Sequence, residues 1–328
     1  MSPRAFDAPL SRRGLLRAGG GLGLAALGLG HGAAAASAAV PASARFDLTQ
    51  PSYDLFRGKP LHDDTVQQSF AFDQVNKRLF VAQLRNGSGQ DELGNLCVTQ
   101  LDFAGNQVSY MHLSGFGHGV AFGVEPSGTD SYLWTEVDAN TGGFGTRLAR
   151  FKFVKGGSLS NTSTAIRKFA PIAGATEYTC SIDPVHNTLV TRYHKDGAKH
   201  IAVYDLAAAS AGTFGTPKVN FPQPALPTKS PKFQGYTAYG QYLYCLTGTD
   251  YVTNGNVVDS EITSIDLNTG KIKEGPVLTK AGESLSFREA EGMAVYRTDS
   301  GEARLFLGFA SGDPGDRRSN IFYKNALV

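Results

Sequence analysis

The sequence predicts an all-β protein, a five-bladed β-propeller closed by an N-terminal strand, and two recurrences carry that prediction. A strand that opens on a polar residue appears five times, at Gln68-Ser-Phe-Ala-Phe-Asp73, His118-Gly-Val-Ala-Phe-Gly123, Tyr178-Thr-Cys-Ser-Ile-Asp183, Gln234-Gly-Tyr-Thr-Ala-Tyr239 and Glu291-Gly-Met-Ala-Val-Tyr296, with starts 50, 60, 56 and 57 residues apart. Each is followed, across a short polar turn, by a second apolar run: Leu79 to Gln83, Tyr132 to Glu136, Thr188 to Arg192, Tyr242 to Leu246 and Leu305 to Phe309. Antiparallel hairpins repeated at this period mark propeller blades, because a sandwich has no reason to repeat one unit five times.

The remaining elements follow in order. A third strand is expected at Leu96 to Phe103, Leu148 to Phe153, His200 to Leu206, Glu261 to Leu267 and Ile321 to Tyr323, and three of these end on Asp-Leu or Asp-Phe. A fourth follows in the first four units, as at Val108 to Leu113 and Ala165 to Phe169, while Ala207 to Thr213 and Gln223 to Lys232 read as loops. The last unit lacks an outer strand. Ala44-Arg-Phe-Asp-Leu-Thr49 is a strand without a unit, so it is expected to close the ring and hide its open edges.

Residues 1–38 stand apart. Ser11-Arg12-Arg13-Gly14-Leu15-Leu16-Arg17 precedes an uncharged Gly/Ala/Leu stretch, and Ala36-Ser37-Ala38 offers the small residues that a signal peptidase needs. This reads as a twin-arginine export signal cleaved after Ala38, leaving residues 39–328 as one secreted domain with 27 basic and 28 acidic side chains. Near-neutral charge offers nothing to a nucleic acid or an anionic membrane. Cys97, Cys180 and Cys245 are too few and too scattered for a disulfide framework or a zinc site, and buried free thiols are the simpler expectation.

In a propeller, the residues that open the inner strands ring one mouth of the channel. Gln68, His118, Tyr178, Gln234 and Glu291 are therefore expected together, joined by Gln83, Arg85, Glu136, Arg192, His194 and Asp250 from the ends of the second strands. A dense, unlike set of polar groups suits a small molecule or a glycan. His118 lies among Gly115, Gly117 and Gly119, which would let a ligand approach an imidazole suited to general-base work. Tyr178 is the candidate proton donor and Arg192 the candidate carboxylate clamp, with an Arg192–Glu136 ion pair as its structural alternative. Glu289 and Glu291 are the carboxylate candidates. His186, His194 and His200 show no metal-ligand spacing. No cofactor is required, and a structural calcium ion in the channel is the one metal this reading leaves open.

Phe116-Gly-His-Gly-Val-Ala-Phe-Gly-Val-Glu-Pro126, Gln68-Ser-Phe-Ala-Phe-Asp73 and Phe233-Gln-Gly-Tyr236 resemble the TagC-like β-propeller family. That family includes actinobacterial proteins labelled teichoic acid biosynthesis protein C or phage baseplate protein, and the propeller of a staphylococcal phage receptor-binding protein. The pattern is also similar to secreted propeller lyases that cleave L-rhamnose linked α-1,4 to D-glucuronate. That resemblance implies an acting histidine at the mouth, matched here by His118, with arginine partners such as Arg192. The expectation is thus an exported, monomeric, carbohydrate-active propeller, a lyase on a uronic-acid glycan. Arg192 with Gln68 or Gln234 would neutralise the carboxylate, His118 would take the C5 proton and Tyr178 would protonate the leaving oxygen. The alternatives are a non-catalytic binder of cell-wall or teichoic-acid glycan, and a glycosidase using Glu136, Glu289 or Glu291.

Overall fold

The computed structural model describes residues 39–85, 93–230 and 232–328, so the expected export signal and its cleavage site lie outside the described residues. Residues 39 onward belong to one compact unit. Among the described residues five sheets follow one another along the chain, with inner strands Gln67–Asp73, Gly123–Ser127, Thr176–Asp183, Phe233–Tyr239 and Glu289–Arg297, and all their pairings are antiparallel except that of Gly157–Ser160, which joins the first sheet in parallel beside Gln107–Ser114. Each inner strand packs on the next, and the fifth packs on the first, which closes the ring. Among the described residues no helix is long and apolar enough to cross a membrane.

The reason for the ring is visible in the core, which divides into five apolar clusters, one in each gap between neighbouring blades. Phe80, Val98 and Met111 of the first blade meet Phe116, Leu133 and Phe151 of the second. Trp134 and Leu148 then meet Tyr178, Leu189 and Tyr204. Val190 and Val203 meet Tyr236 and Leu243, and Tyr244 and Ile262 meet Leu305 and Phe309. Tyr296 and Phe306 complete the circuit against Phe72 and Val81. A blade covered on both faces buries its inner strand almost throughout, so in four of the five blades these strands are buried along most of their length, with Ser69, Thr179, Ser181 and Thr237 enclosed beside the apolar residues.

The recurring Asp-Leu and Asp-Phe endings have a local cause. Asp102 accepts the backbone N–H groups of Ala104 and Asn106, and Asp266 those of Asn268 and Thr269. Asp205 caps the short helix Leu206–Ala211, which occupies a stretch expected to be a loop, through the Ala208 N–H at 2.9 Å. All three aspartates stop a third strand by satisfying the turn that follows it.

Closure comes from the N-terminal side, but by a different segment from the one expected. The outer strand of the fifth blade is Tyr53–Pro60, antiparallel to Arg318–Lys324. Ala44–Thr49 makes only the Phe46–Leu327 bridge, supported by bonds from Arg45 and Asp47 to Val328 and Ala326, and inserts Phe46 and Leu48 between the fourth and fifth blades. Its alternation reports that plug. Tyr53–Pro60 is mostly exposed, carries two register shifts and ends in proline, so it lacks the alternation by which a strand is recognised.

Candidate functional site at the entry face

The entry face is the end of the ring where inner strands begin and second strands finish. Four of the five inner strands carry a register shift within their first residues, between Gln67 and Ser69, Thr176 and Thr179, Phe233 and Gly235, and Ala290 and Met293. Such bulges re-aim side chains at the rims of barrels and beside sites. They fall on Gln68, Tyr178, Gln234 and Glu291, the residues picked out by the repeat. Gln68 and Gln234 are buried, and Gln234 donates to the Gly248 carbonyl at 3.0 Å and to Glu289 Oε1 at 3.4 Å.

His118 departs from this plan. The second inner strand starts only at Gly123, so His118 lies in the preceding loop, half-buried, with its ring stacked on Phe144 at 5.4 Å. The glycines around it serve another group. Glu136 is fully buried and accepts the N–H of Gly119 at 2.8 Å and of Gly145 at 2.6 Å, with the His118 backbone as a third donor. A Cβ at Gly117 would collide with the Glu136 carboxyl, and one at Gly145 would lie 2.5 Å from its Cβ. Ser-Gly-Phe-Gly-His-Gly is therefore a backbone cradle for an internal acid, which corrects both the reading of the glycines as ligand access and the placing of Glu136 at the mouth. Burial outweighs the three donors and pushes the Glu136 carboxyl up to about 7.

Tyr178 is also corrected. It is 0% exposed, packs against Tyr193, and its hydroxyl donates to the Ile172 carbonyl at 3.0 Å while accepting from the Ile172 N–H. Burial pushes the phenol up to about 12. The bulge beside it lets Glu177 take the outward position, where it pairs with Lys199 next to His194. A core tyrosine tied to its own loop cannot protonate a leaving group.

Arg192 does not meet Glu136. Its guanidinium lies over Phe233 at 3.9 Å, Nε donates to Gln223 Oε1 at 2.7 Å, and the Nη atoms make no hydrogen bond among the described residues. With Leu226, Thr228 and Thr247 these residues line a cavity of about 280 Å³ between the third and fourth blades. Beside it, Lys232 is ion-paired to the buried Glu289, and the charges of Asp250 and Glu291 also bear on Lys232. Asp250 additionally caps the short helix Tyr251–Asn254. Burial and the repulsion of Glu289 hold the Glu291 carboxyl well above the usual range, which favours its protonated form beside an acid that is ion-paired. In the sequence Phe233 stands out only as the first residue of Phe233-Gln-Gly-Tyr236. Its partnership with Arg192 and Gln223 joins residues from two blades, which local spacing does not reveal. Arg85 lies at the first blade beside His112, away from this cavity.

These features define a five-bladed β-propeller that gathers unlike polar groups on one face. The chain belongs to the family of phage five-bladed β-propeller receptor-binding platform domains, whose family model matches residues 66–323. It is 27% identical over 288 residues to a Bacillus subtilis (strain 168) protein that bears the name major teichoic acid biosynthesis protein C. That match covers 84% of this chain and 63% of the relative, so the chain spans less than two thirds of the relative's length. The tail fiber of Staphylococcus aureus phage P68 shares the fold with a TM-score of 0.67 at 18% identity, over 85% of this chain and 53% of the fiber chain. The TagC-like resemblance read from the inner-strand motifs is thus borne out.

Proposed function

We propose that this chain is an exported module that engages an anionic surface glycan through the entry face, with the Arg192 cavity as its principal subsite. The observation that carries this is the makeup of that cavity. A planar cation stacked on an aromatic ring, an amide and two threonine hydroxyls offer a sugar a flat apolar wall, hydrogen bonds and an anion partner. The guanidinium fork fits a uronate carboxylate or the phosphate of a teichoic acid equally well. The names of the relatives, a receptor-binding platform and a teichoic acid protein, point the same way.

Cleavage of a rhamnose-α-1,4-glucuronate linkage is the catalytic form of this proposal. Arg192 would neutralise the carboxylate and His118 would serve as base, and the proton donor would have to be a group other than Tyr178. Hydrolysis is the competing chemistry, favoured by the protonated Glu291 beside the Lys232-paired Glu289.

The test is titration of the protein with teichoic acids, gum arabic, arabinogalactan and uronans, with product analysis in parallel. Arg192→Ala is expected to weaken binding of the recognised polymer about 10–100-fold, the loss typical of a central arginine anchor. Unsaturated uronate in the product, lost about 10²–10⁴-fold in His118→Ala, would establish elimination. Released sugar without unsaturation would move the chemistry to the two glutamates. Binding of no anionic polymer, or an Arg192→Ala variant that binds as tightly as wild type, would sink the proposal.

A further inference from the structure

The first blade holds a second polar cluster that the glycan reading does not use. The connection from Pro60 to Gln67 runs over that blade and is tied down. Gln83 Nε2 donates to the carbonyls of Asp63 at 2.8 Å and Thr65 at 2.7 Å, and the His62 N–H donates to Thr99 Oγ1 at 3.1 Å. Beneath it, Gln83, Cys97 and His112 are register partners across three strands and so form one row on the same face. The His62 ring stacks on Tyr110 with centroids 3.4 Å apart and planes within 9°, and Gln107 meets its Nδ1 at 3.2 Å, which leaves Nε2 for another partner. His112 Nε2 is buried and makes no hydrogen bond, with Asp63 Oδ1 at 3.8 Å. Donor atoms of His62, Asp63 and His112 all lie within 4.8 Å of one another.

We propose that His62, Asp63 and His112 form a binding site for one divalent transition-metal ion of the zinc class, open at a fourth position. Two imidazoles and one carboxylate are the donors that such ions take, whereas calcium and magnesium call for oxygen alone. Metal–ligand bonds of about 2.0–2.2 Å need donor atoms closer together than they stand here, a closure that rotation of the side chains can supply. A buried imidazole nitrogen that makes no hydrogen bond, its carboxylate neighbour standing 3.8 Å away, is costly without an ion and satisfied with one. Gln107 holds His62 from behind, as outer partners of ligating histidines do. His62 and His112 stand 50 residues apart, on a connection and on an outer strand, so sequence spacing conceals the set.

The tag-free chain, stripped with chelator, is titrated with Zn²⁺ by calorimetry and with Co²⁺ by visible absorption. Wild type is expected to take one equivalent and to give the intense d–d bands of four-coordinate Co²⁺. His112→Ala and Asp63→Asn are each expected to lose about 100-fold or more in Zn²⁺ affinity, at least the loss seen when only an outer partner is removed. His200→Ala, on the third blade, should bind as wild type does. Should His112→Ala fail to fold, His62→Ala at the more exposed ring and the wild-type Co²⁺ spectrum still decide the matter. Wild type that takes neither ion, or a folded His112→Ala or His62→Ala variant with undiminished affinity, would overturn the assignment. Glycan binding is read separately, so failure here leaves the Arg192 proposal standing.

Discussion

Gly292→Ala is expected to destabilise the ring by about 3–5 kcal/mol, combining the cost of a left-handed L-residue with overpacking against main chain. Gly292 has φ +83°, and an added Cβ would lie 2.6 Å from Ser69 Cα, which belongs to the first inner strand and cannot swing aside as a side-chain tip can. Gly235 stands in the same relation to Gly292, with its Cβ position 2.8 Å from Gly292 Cα. The inner strands of the fourth, fifth and first blades therefore approach one another through glycine, and the Glu-Gly and Gln-Gly pairs of the repeat are closure elements as much as site elements. Gly174→Ala supplies the comparison, since its φ is +75° but nothing lies within 4 Å of the added atom. It should cost only about 1–2 kcal/mol. Urea unfolding of both variants distinguishes the two terms, and equal losses would show that strand contact contributes nothing.

Folded-state stability is expected to fall by about 3 kcal/mol as pH rises from 4.5 to 7, because of Glu136. Its carboxyl is pushed up to about 7 in the folded chain and returns to about 4.5 on unfolding. Between those values the native state holds the extra proton, so raising the pH favours the unfolded chain. Burial and Glu289 move Glu291 in the same direction. Other acids act oppositely below this window. Burial raises Glu125, but Arg150, Trp134 and Ser210 more than offset it and hold the carboxyl low, while Lys199 holds Glu177 low and Asn106 holds Asp102 low. Their stabilisation is lost as the pH falls through their folded values, which sets the expected maximum near pH 5. Denaturant titrations from pH 4 to 8 measure the curve, and Glu136→Gln should make its slope above pH 4.5 shallower, leaving the part that Glu291 carries. A Glu136→Gln variant with the wild-type slope would show that this acid does not carry the effect.

Much of the fold was legible because it is written locally. Hydrophobic runs separated by turns marked the inner, second and third strands to within a few residues in four of the five blades, and the Asp-Leu endings marked turns that close within four residues. The second blade was misplaced at its start because His118-Gly119 imitates the polar-glycine opening of Gln234-Gly235 and Glu291-Gly292. In those two strands the glycine sits in a bulge against the neighbouring strand. Gly119 instead turns its N–H toward Glu136 from a loop.

The candidate site was legible as a list of positions but not as a set of directions. The repeat placed Gln68, Tyr178, Gln234 and Glu291 at equivalent points, and each lies at a bulge. A bulge adds one residue to one strand, and one residue is enough to exchange the two faces. Tyr178 consequently points into the core, with Glu177 outside. Period, blade number and turn chemistry were thus determined by the sequence alone, since each depends on residues near one another along the chain. Which glycines make room for a buried acid, which arginine lies over which phenylalanine, which segment forms the outermost strand of the fifth blade and which two histidines stand beside one aspartate were decided only by tertiary structure. Those relations join residues on different blades or connections, and only closure of the ring brings them within contact distance.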